Sequence, residues 1–338
     1  MASILPFVSV IVPMLNEERY ITQCLLSLLS QDYPADRFEI IVADGGSEDA
    51  SVRLVRQLGV QHSKIRLIRN PRRLASSGLN EGIRHAEGEV IARLDAHCRA
   101  PADYLSLCVQ YLLSTGAECV GGVINAVGTG FWGRIIAVGT TSPFGVGNSS
   151  HRCSRSETSS EAGWPGAYWK RTLIAMDCFD ETVGPNDDDD LSFRLVRDGK
   201  GLFLTPRIRV THFCRSSLRS LWRQYYRYGY WKARLIQKHR TVLAPRHLVP
   251  TAFVVALVLG SLFAVGGFPF PLMLTAIGYG AVNTGFAIWA AAHRGWWHLV
   301  GLPVVFSVLH LSYGTGVLFG ALQVSRGVAR RARTPANG

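Results

Sequence analysis

Three stretches of the chain bring carboxylates, glycines and a histidine into arrangements that can do chemistry. The first is Arg93-Leu94-Asp95-Ala96-His97. An apolar, strand-like run from Glu89 to Leu94 ends in an aspartate, a small residue and a histidine, so carboxylate and imidazole sit where strand becomes loop. Open α/β sheets bind ligands at such strand ends, and residues two apart on extended backbone point to one side, so Asp95 and His97 are placed to meet one divalent cation. The second stretch is Asp44-Gly45-Gly46-Ser47-Glu48-Asp49: a carboxylate at another strand tip, two glycines for a tight turn, and Ser47 or Asp49 to cap the next helix. A capping turn alone would account for Asp44, but two strands of one sheet ending in aspartate point to a converging acidic rim. The third is Asn186-Asp187-Asp188-Asp189-Asp190-Leu191-Ser192-Phe193-Arg194, four adjacent carboxylates whose repulsion needs a helix N-terminus or a metal to offset it.

The elements that must hold these residues alternate in type. Phe7 to Val12 is a short, β-branched apolar run, as expected of a strand buried on both faces, and Pro13 and Asn16 close it. A helix with Cys24, Leu25, Leu28 and Leu29 at helical spacing follows. A second strand, Phe38 to Ala43, leads to Asp44, and a third, Ile65 to Arg69, leads to Asn70-Pro71. A helix from Ser76 to His85, which carries Asn80, precedes the strand that ends at Asp95. Strand and helix in alternation predict an α/β fold with a mostly parallel sheet. Cys119 to Val127 reads as a further strand with internal glycines. The Gly/Ser-rich stretch from Ser142 to Gly163 is too long for a simple connection and is expected to be a flexible lid or acceptor loop. It runs into Gly163-Trp164-Pro165-Gly166-Ala167-Tyr168-Trp169-Lys170-Arg171, where Trp164 can either stack on a sugar or pack in the core.

Charge divides the 338 residues unevenly. The last acidic residue is Asp198; after it come 17 Lys/Arg, whereas the first 198 residues hold 19 basic and 24 acidic side chains. The mean hydropathy of +0.14 and the pI near 9.7 belong to a chain whose basic residues flank apolar segments, which favours anionic lipid over nucleic acid as partner. Seven cysteines without a Cys-x-x-Cys pair give neither a disulfide framework nor a zinc ribbon, and are read as reduced thiols facing the cytosol. The apolar start, Ile4 to Leu15, is too short to span a bilayer and shows no cleavage pattern, so no secretory signal is read. Residues 217 to 239 predict a helix with Arg219, Arg223, Arg227, Arg234 and Lys238 within one 100° arc, and Leu218, Leu221, Trp222 and Tyr225 on another face. Three apolar segments follow, near Leu248 to Gly267, Leu272 to Ala292 and Leu299 to Val324, each expected to be long enough to span hydrocarbon. Three crossings would leave Arg326, Arg330, Arg331 and Arg333 on the side opposite Arg294, so the third segment, with Pro303, His310 and its glycines, is expected to be broken, re-entrant or a hairpin.

Val8-Ser9-Val10-Ile11-Val12-Pro13 with Asn16-Glu17, then Asp44-Gly45-Gly46-Ser47, then Asp95-Ala96-His97, resembles the family 2 glycosyltransferases of the GT-A fold. The resemblance runs from residue 7 to about 240. It implies a Rossmann-like mixed, mostly parallel sheet with helices on both faces, followed by an interfacial helix and membrane helices. It also implies that Pro13, Asn16, Glu17, Asp44, Gly45, Asn80 and Asp95 serve the donor nucleotide, Asp44 at the uracil or ribose, with Trp164 and Gly166 beside the donor sugar. The Asp95 triplet stands where the family carries Asp-x-Asp, which holds Mg²⁺ or Mn²⁺ against the diphosphate. His97 departs from that pattern, and imidazole suits Mn²⁺ better than Mg²⁺. Asp187 to Leu191 resembles the family's Glu-Asp-x-Asp-Leu: Asp188 falls where the general base lies, Asp187 in the glutamate's place on the acceptor side, and Asp190 with Arg194 where the helix is braced. Asp190 is also counted with the acceptor-side residues. His212 matches a histidine that completes the metal or diphosphate site in several relatives; a satisfied core histidine is the alternative. Gln224-Tyr225-Tyr226-Arg227-Tyr228 resembles the Gln-x-x-Arg-Trp of membrane-bound members, which places Gln224, Arg227 and Tyr228 by the acceptor and its diphosphate.

The expected organisation is a cytosolic GT-A domain over 1–214, a basic interfacial helix and linker over 215–246, a membrane domain over 247–325 and a basic tail over 326–338. The tail and the Asp95 triplet most resemble bacterial exopolysaccharide glucosyltransferases of succinoglycan type. This implies an inner-membrane, metal-dependent, inverting transferase that adds glucose from UDP-glucose in β-linkage to a saccharide on a polyprenyl diphosphate, with other assembly proteins as possible partners. Two other classes remain: a non-catalytic, membrane-anchored partner that keeps the fold, and a processive synthase, which three spanning segments would equip poorly with a polymer channel.

Overall fold

A computed structural model describes residues 5–147, 149–158, 164–241 and 247–333. Ile4, Gly163, Arg246 and the part of the basic tail beyond Arg333 lie outside the described residues. The chain divides into two units, residues 1–125 with 149–213, and residues 126–148 with 214–338. Residues 126–148, expected within the first domain, therefore go with the second unit.

The first unit follows the alternation predicted from sequence: β1 (Val8–Met14), α1 (Ile21–Leu29), β2 (Phe38–Asp44), α2 (Ser51–Gln61), β3 (Ile65–Arg69), α3 (Ala75–His85), β4 (Val90–Arg93), β5 (Cys98–Arg99), α4 (Tyr104–Thr115) and β6 (Cys119–Val127). After the second unit's short α5 (Gly130–Gly139) and α6 (Pro143–Val146) come α7 (Ser150–Cys153), β7 (Gly166–Trp169), α8 (Lys170–Ala175), α9 (Asp187–Arg197) and β8 (Leu202–Phe213). The eight strands form one sheet in the order β3-β2-β1-β4-β7-β6-β8-β5. β1 lies parallel to β2 and β4, and β2 to β3, while β7 runs antiparallel to β4 and β6, and β5 to β8. The sheet is mixed because β7 returns against β4.

Strand periodicity sorts β1 between two cores. Val8, Val10 and Val12 join Leu25 and Leu28 of α1, Val55 of α2 and Leu105 of α4 on one face; Ile11 joins Leu79 and Ile83 of α3 and Leu191 and Leu195 of α9 on the other. Side chains two apart share a face, so a continuous apolar run is what a strand covered on both sides requires. The described part of the stretch expected as a flexible lid or acceptor loop contains α6 and α7 and a bridge from Thr158 to Leu204.

The second unit contains α10 (Leu218–His239), α11 (Val249–Val265), α12 (Phe270–Arg294) and α13 (Leu302–Arg333). Ser217 caps α10 by accepting from the Ser220 N–H at 3.2 Å. The helix presents Leu221, Tyr225, Gly229 and Ala233 to its neighbours and leaves Arg219, Arg223, Arg227 and Lys238 exposed. Arg234, expected in the same stripe, is drawn over the rings of Tyr230 and Trp231. Two helices, α12 and α13 up to Gln323, are long and apolar enough to cross a membrane; α11, with 17 residues, is shorter. From Leu302 onward the third apolar segment is one continuous helix, Leu299 and Val300 ending a short 3-10 turn before it. Pro303 stands in its first turn, where a missing N–H costs no intrahelical bond.

Candidate active site

The tips of β1, β2 and β4 form one rim. Pro13 lies opposite Ala43 and Met14 opposite Asp44, so the loops after β1 and β2 leave the sheet together. They are stitched across: the Gly45 N–H donates to the Met14 carbonyl at 2.8 Å, the Asn16 N–H to Ser47 Oγ at 2.9 Å, and the Glu48 N–H to Asn16 Oδ1 at 2.8 Å. Asn16 holds this bridge from a left-handed conformation (φ 56°) that asparagine tolerates better than most residues. The Asp44 carboxylate accepts from the Gly46 N–H at 3.0 Å, the Ser47 N–H at 3.1 Å and Ser47 Oγ at 2.6 Å. Its capping bonds and its place at the strand tip therefore occur together.

Beyond β4 the chain turns through Asp95 and His97. His97 Nδ1 lies 3.0 Å from Glu17 Oε1, so the first acidic residue of the loop after β1 orients the imidazole. The His97 ring meets His212 of β8 edge-on at 5.0 Å, and His212 meets Trp164 edge-on at 6.0 Å. Cys98 and His212 face each other across the β5–β8 pair, which explains why residues 115 apart in sequence converge. Trp164 is 7% exposed, and its Nε1–H has no hydrogen-bond partner among the described residues. A buried donor in that state costs free energy unless a ligand or water accepts from it.

Arg93 is the side chain that the sequence analysis left without a role. It closes β4 with 6% of its side chain exposed. Its Nε lies 3.2 Å from Asp95 Oδ1, its Nη1 lies 3.2 Å from Asp187 Oδ2, and the same Nη1 contacts Asp188 Oδ1. The Phe179 ring covers the guanidinium at 5.7 Å. Burial alone would weaken the guanidinium's hold on its proton, but Asp188, Asp95 and Asp187 outweigh it and keep Arg93 charged. Burial pushes the Asp187 and Asp188 carboxyls above the ordinary carboxylate range, Asp188 well above it; Arg93 pulls both down, while Asp95 works with burial on both and Asp187 adds to it at Asp188. Asp188 keeps 27% of its side chain exposed, so a carboxylate made more basic by its surroundings still opens on solvent. One signal for Arg93 was present in the sequence: on extended backbone it shares a side with Asp95, two residues on.

Two expected ligand residues are used otherwise. Asn80 sends its Nδ2–H to the Phe179 carbonyl at 2.8 Å and to Glu181 Oε1 at 3.1 Å, and accepts from the Phe179 N–H at 3.0 Å. The amide of Asn80 is thus engaged in fixing the approach to α9, with both Nδ2 hydrogens taken up by protein. Asp190 is fully buried and accepts from Arg194 Nε at 2.7 Å, while Arg194 also donates to the Cys178 carbonyl at 2.7 Å. That is a helix brace without an acceptor-facing surface. Gly166 contributes backbone, pairing with Arg93 across β7 and β4, and its carbonyl lies 3.2 Å from the Tyr104 hydroxyl. Gln224, Arg227 and Tyr228 belong to α10 of the second unit, where Gln224 Nε2 donates to the Tyr228 hydroxyl at 3.0 Å and Arg227 is exposed. Cys24 and Cys98 are buried thiols whose pKa burial raises, so neither is a nucleophile.

Among the described residues no three His, Cys, Asp or Glu side chains are gathered into a metal cage. The donors on the rim are still of the right kind: a carboxylate on Asp95 that is 20% exposed, and two imidazoles in ring contact. Carboxylate oxygen with imidazole nitrogen suits Mn²⁺ and comparable ions.

Residues 9–151 match the family described as Glycosyl transferase family 2. Over 323 residues the chain is 27% identical to the succinoglycan biosynthesis protein ExoA of Rhizobium meliloti, covering 95% of this chain and 96% of that one. Over 240 residues it is 28% identical to a dolichyl N-acetyl-alpha-D-glucosaminyl phosphate 3-beta-D-2,3-diacetamido-2,3-dideoxy-beta-D-glucuronosyltransferase of Methanococcus voltae, covering 69% of this chain and 74% of that one. Among solved structures it is similar to the mannosyltransferase PcManGT of Pyrobaculum calidifontis in complex with GDP-Man and Mn²⁺, with a TM-score of 0.59 and 21% identity over 95% of this chain and 88% of that one. That likeness establishes the GT-A fold.

Proposed function

We propose that this chain, a nucleotide-sugar glycosyltransferase with a family 2 domain on a GT-A fold, is membrane-bound and inverting, and builds a bacterial exopolysaccharide from the cytosolic face of the inner membrane. In this reading glucose passes from UDP-glucose, in β-linkage, to a saccharide carried on a polyprenyl diphosphate. The likeness to the succinoglycan protein over nearly the whole of both chains supports the pathway class. The observation that carries the chemistry is Asp188, basic, partly open and held by the buried Arg93.

Asp188 takes the proton of the acceptor hydroxyl as that oxygen bonds to the anomeric carbon, and the bond from that carbon to the diphosphate breaks on the opposite side, which inverts the centre. Arg93 holds Asp188 and Asp187 in place, and Glu17 orients His97. Asp95, His97 and His212 would hold the divalent cation, which when bound offsets the charge of the leaving diphosphate. Trp164, whose Nε1–H has no partner among the described residues, offers it from beside His212 to a sugar hydroxyl. Asn16 and Asp44 frame the nucleotide end of the rim. A non-catalytic partner has no use for a partly open carboxylate held in place by a buried arginine.

The test is a panel of nucleotide sugars offered to the full chain with membranes that supply lipid-linked acceptor, scoring nucleotide release for the parent and for Asp188→Asn. Release with one UDP-sugar, lost in the variant, supports the reading. Equal release by both removes Asp188 from the reaction.

A further inference from the structure

The 126–148 and 214–338 unit contains no Asp or Glu and fifteen Lys/Arg, fourteen from residue 214 onward together with Arg134. No Lys, Arg, Asp or Glu lies between Arg246 and Arg294, the stretch that forms α11 and α12. Among the described residues, these two helices are held by the rest of their unit at one end. Gly314 of α13 lies so close to Pro250 and Val254 that a Cβ there would collide with them. On α12, the Tyr279 hydroxyl is 3.0 Å from His310 Nδ1, Asn283 Nδ2 donates to the Pro303 carbonyl at 3.0 Å, and all the buried residues lie from Asn283 onward. Beyond Val254 and before Tyr279 the helices meet mainly each other, as where Gly260 lies against Leu272. There Leu262, Val265, Phe268, Phe270, Leu274 and Ile277 are exposed.

The turn between them is built for a place without water. It reads Gly266-Gly267-Phe268-Pro269-Phe270-Pro271, with no polar side chain. The Gly266 N–H returns to the Leu262 carbonyl at 3.1 Å, Gly267 to Ala264 at 3.0 Å and Phe268 to Phe263 at 2.9 Å, and the two prolines have no N–H to satisfy. In hydrocarbon the backbone must satisfy itself in this way. The free arms are short: eleven residues of α11 after Val254 and nine of α12 before Tyr279 rise about 16 and 13 Å, close to half of the ~30 Å hydrocarbon layer.

α13 has the opposite character. Half of its apolar stretch is buried in protein, against 11% for α12. Its second half lies along α10, backbone to backbone: a Cβ at Gly316 would meet the Tyr226 carbonyl and one at Gly320 the Tyr230 carbonyl. The outer face of α10 carries exposed Arg219, Arg223 and Arg227, which hydrocarbon would not accommodate. At the base of the hairpin, exposed Phe131, Trp296 and Trp297 stand with Arg134, His293 and Arg294, the aromatic and cationic mixture of a headgroup layer.

We infer that α11 and α12 form a re-entrant hairpin that dips into the acyl chains of one leaflet and returns to the face it entered, while α10 and α13 lie in the headgroup layer, so that no segment crosses the bilayer. Arg240, Arg246, Arg294 and the arginines at 326, 330, 331 and 333 then share one side, which three crossings would divide.

This inference rests on the membrane reading above, and the experiment separates the two. The full chain is expressed in bacterial cells with green fluorescent protein or alkaline phosphatase fused after Gly338, and sedimented with membranes under carbonate wash. Membrane retention with a fluorescent, phosphatase-inactive fusion is expected. An active phosphatase shows a crossing and overturns the hairpin alone; loss from the membrane overturns the membrane reading itself. Phe268→Cys, scored against the parent chain for its native cysteines, should resist impermeant maleimide from both faces and react after detergent. Labelled with a fluorophore in vesicles, it should be quenched by lipids spin-labelled deep in the acyl chain. Reaction from the far face shows a span, reaction from the near face shows a hairpin in water, and protection without quenching shows a second copy of the chain over the tip; each overturns the proposal.

Discussion

Replacing Arg93 by methionine tests whether one buried cation holds the acidic site together. The substitution nearly conserves volume and packing under Phe179, but removes every charge partner that Asp187 and Asp95 have in the Arg93 cluster. Removing one partner of a buried ion pair costs about 3–5 kcal/mol, because the remaining charge is left desolvated. Asp187, at 4% side-chain exposure, cannot recover that by hydration. For a unit of this size each kcal/mol moves the midpoint by roughly 2–4 °C, so Arg93→Met should lower the apparent melting temperature at pH 7 by about 6–20 °C. The loss should depend on pH. The folded pKa of Asp187 and Asp188 already lies above the unfolded value through burial, so their contribution to stability is fully present below the unfolded pKa and is lost as pH rises through the folded one. Without Arg93 those folded values rise further. The gap between variant and parent should therefore be widest at neutral pH and narrow towards pH 5 as the carboxyls protonate. The assay is thermal unfolding of the full chain in detergent at one scan rate from pH 5 to 8. A variant that melts with the parent at every pH, or whose deficit grows on acidification, refutes the clamp.

Asp188→Asn should lose roughly 10²- to 10⁴-fold in transfer while keeping nucleotide binding, measured by turnover and by calorimetric titration of UDP. Asp190→Asn should do the reverse, melting earlier by the several kcal/mol of a broken buried pair with Arg194 and retaining turnover per folded molecule at permissive temperature. His97→Asp replaces a nitrogen donor with oxygen and should shift metal preference from Mn²⁺ towards Mg²⁺ in a metal titration of activity; because the new carboxylate faces Glu17, the metal-free variant should also be less stable than the parent, and an unchanged preference removes His97 from the ligand set. Trp164→Phe removes an N–H that has no partner among the described residues, so stability should stay within about 1 kcal/mol of the parent while kcat/KM falls about tenfold, the worth of one hydrogen bond to substrate; an unchanged kcat/KM would assign Trp164 to packing.

What the sequence made legible was local. A strand ending in Asp44-Gly45-Gly46-Ser47 announces its turn, because the carboxylate accepts from N–H groups two and three residues on. The capped amphipathic helix at 218 to 239 could be read the same way, since Ser217 bonds to Ser220. Roles set by distant partners were not legible. Asn80 looks like a ligand until Phe179, 99 residues later, takes up its amide. Arg93 looks like a strand residue out of place until α9 brings Asp187 and Asp188 to it. In the apolar tail, hydropathy showed three segments of similar length, each long enough to span, with the third expected to be broken, re-entrant or a hairpin. It could not report that glycines let α13 touch α10 backbone to backbone, while α12 meets its own unit along half its length.

The acidic run at 187 to 190 shows how identical side chains acquire different chemistry. All four stand in the first turn of α9, where the helix dipole and the free N–H groups stabilise negative charge, so their adjacency is tolerated. Each successive residue is turned by about 100°, so the run cannot present four carboxylates to one ligand. Asp187 and Asp190, three apart, point inward; one meets Arg93 and the other Arg194, a partner one turn further on the same helix. Asp188 and Asp189 are left towards solvent, and only Asp188 also reaches Arg93. A base must be held firmly, made more basic than an ordinary carboxylate, and reachable. Asp187 and Asp190 fail the last condition, and rotation about the helix axis leaves Asp188 as the residue that meets all three.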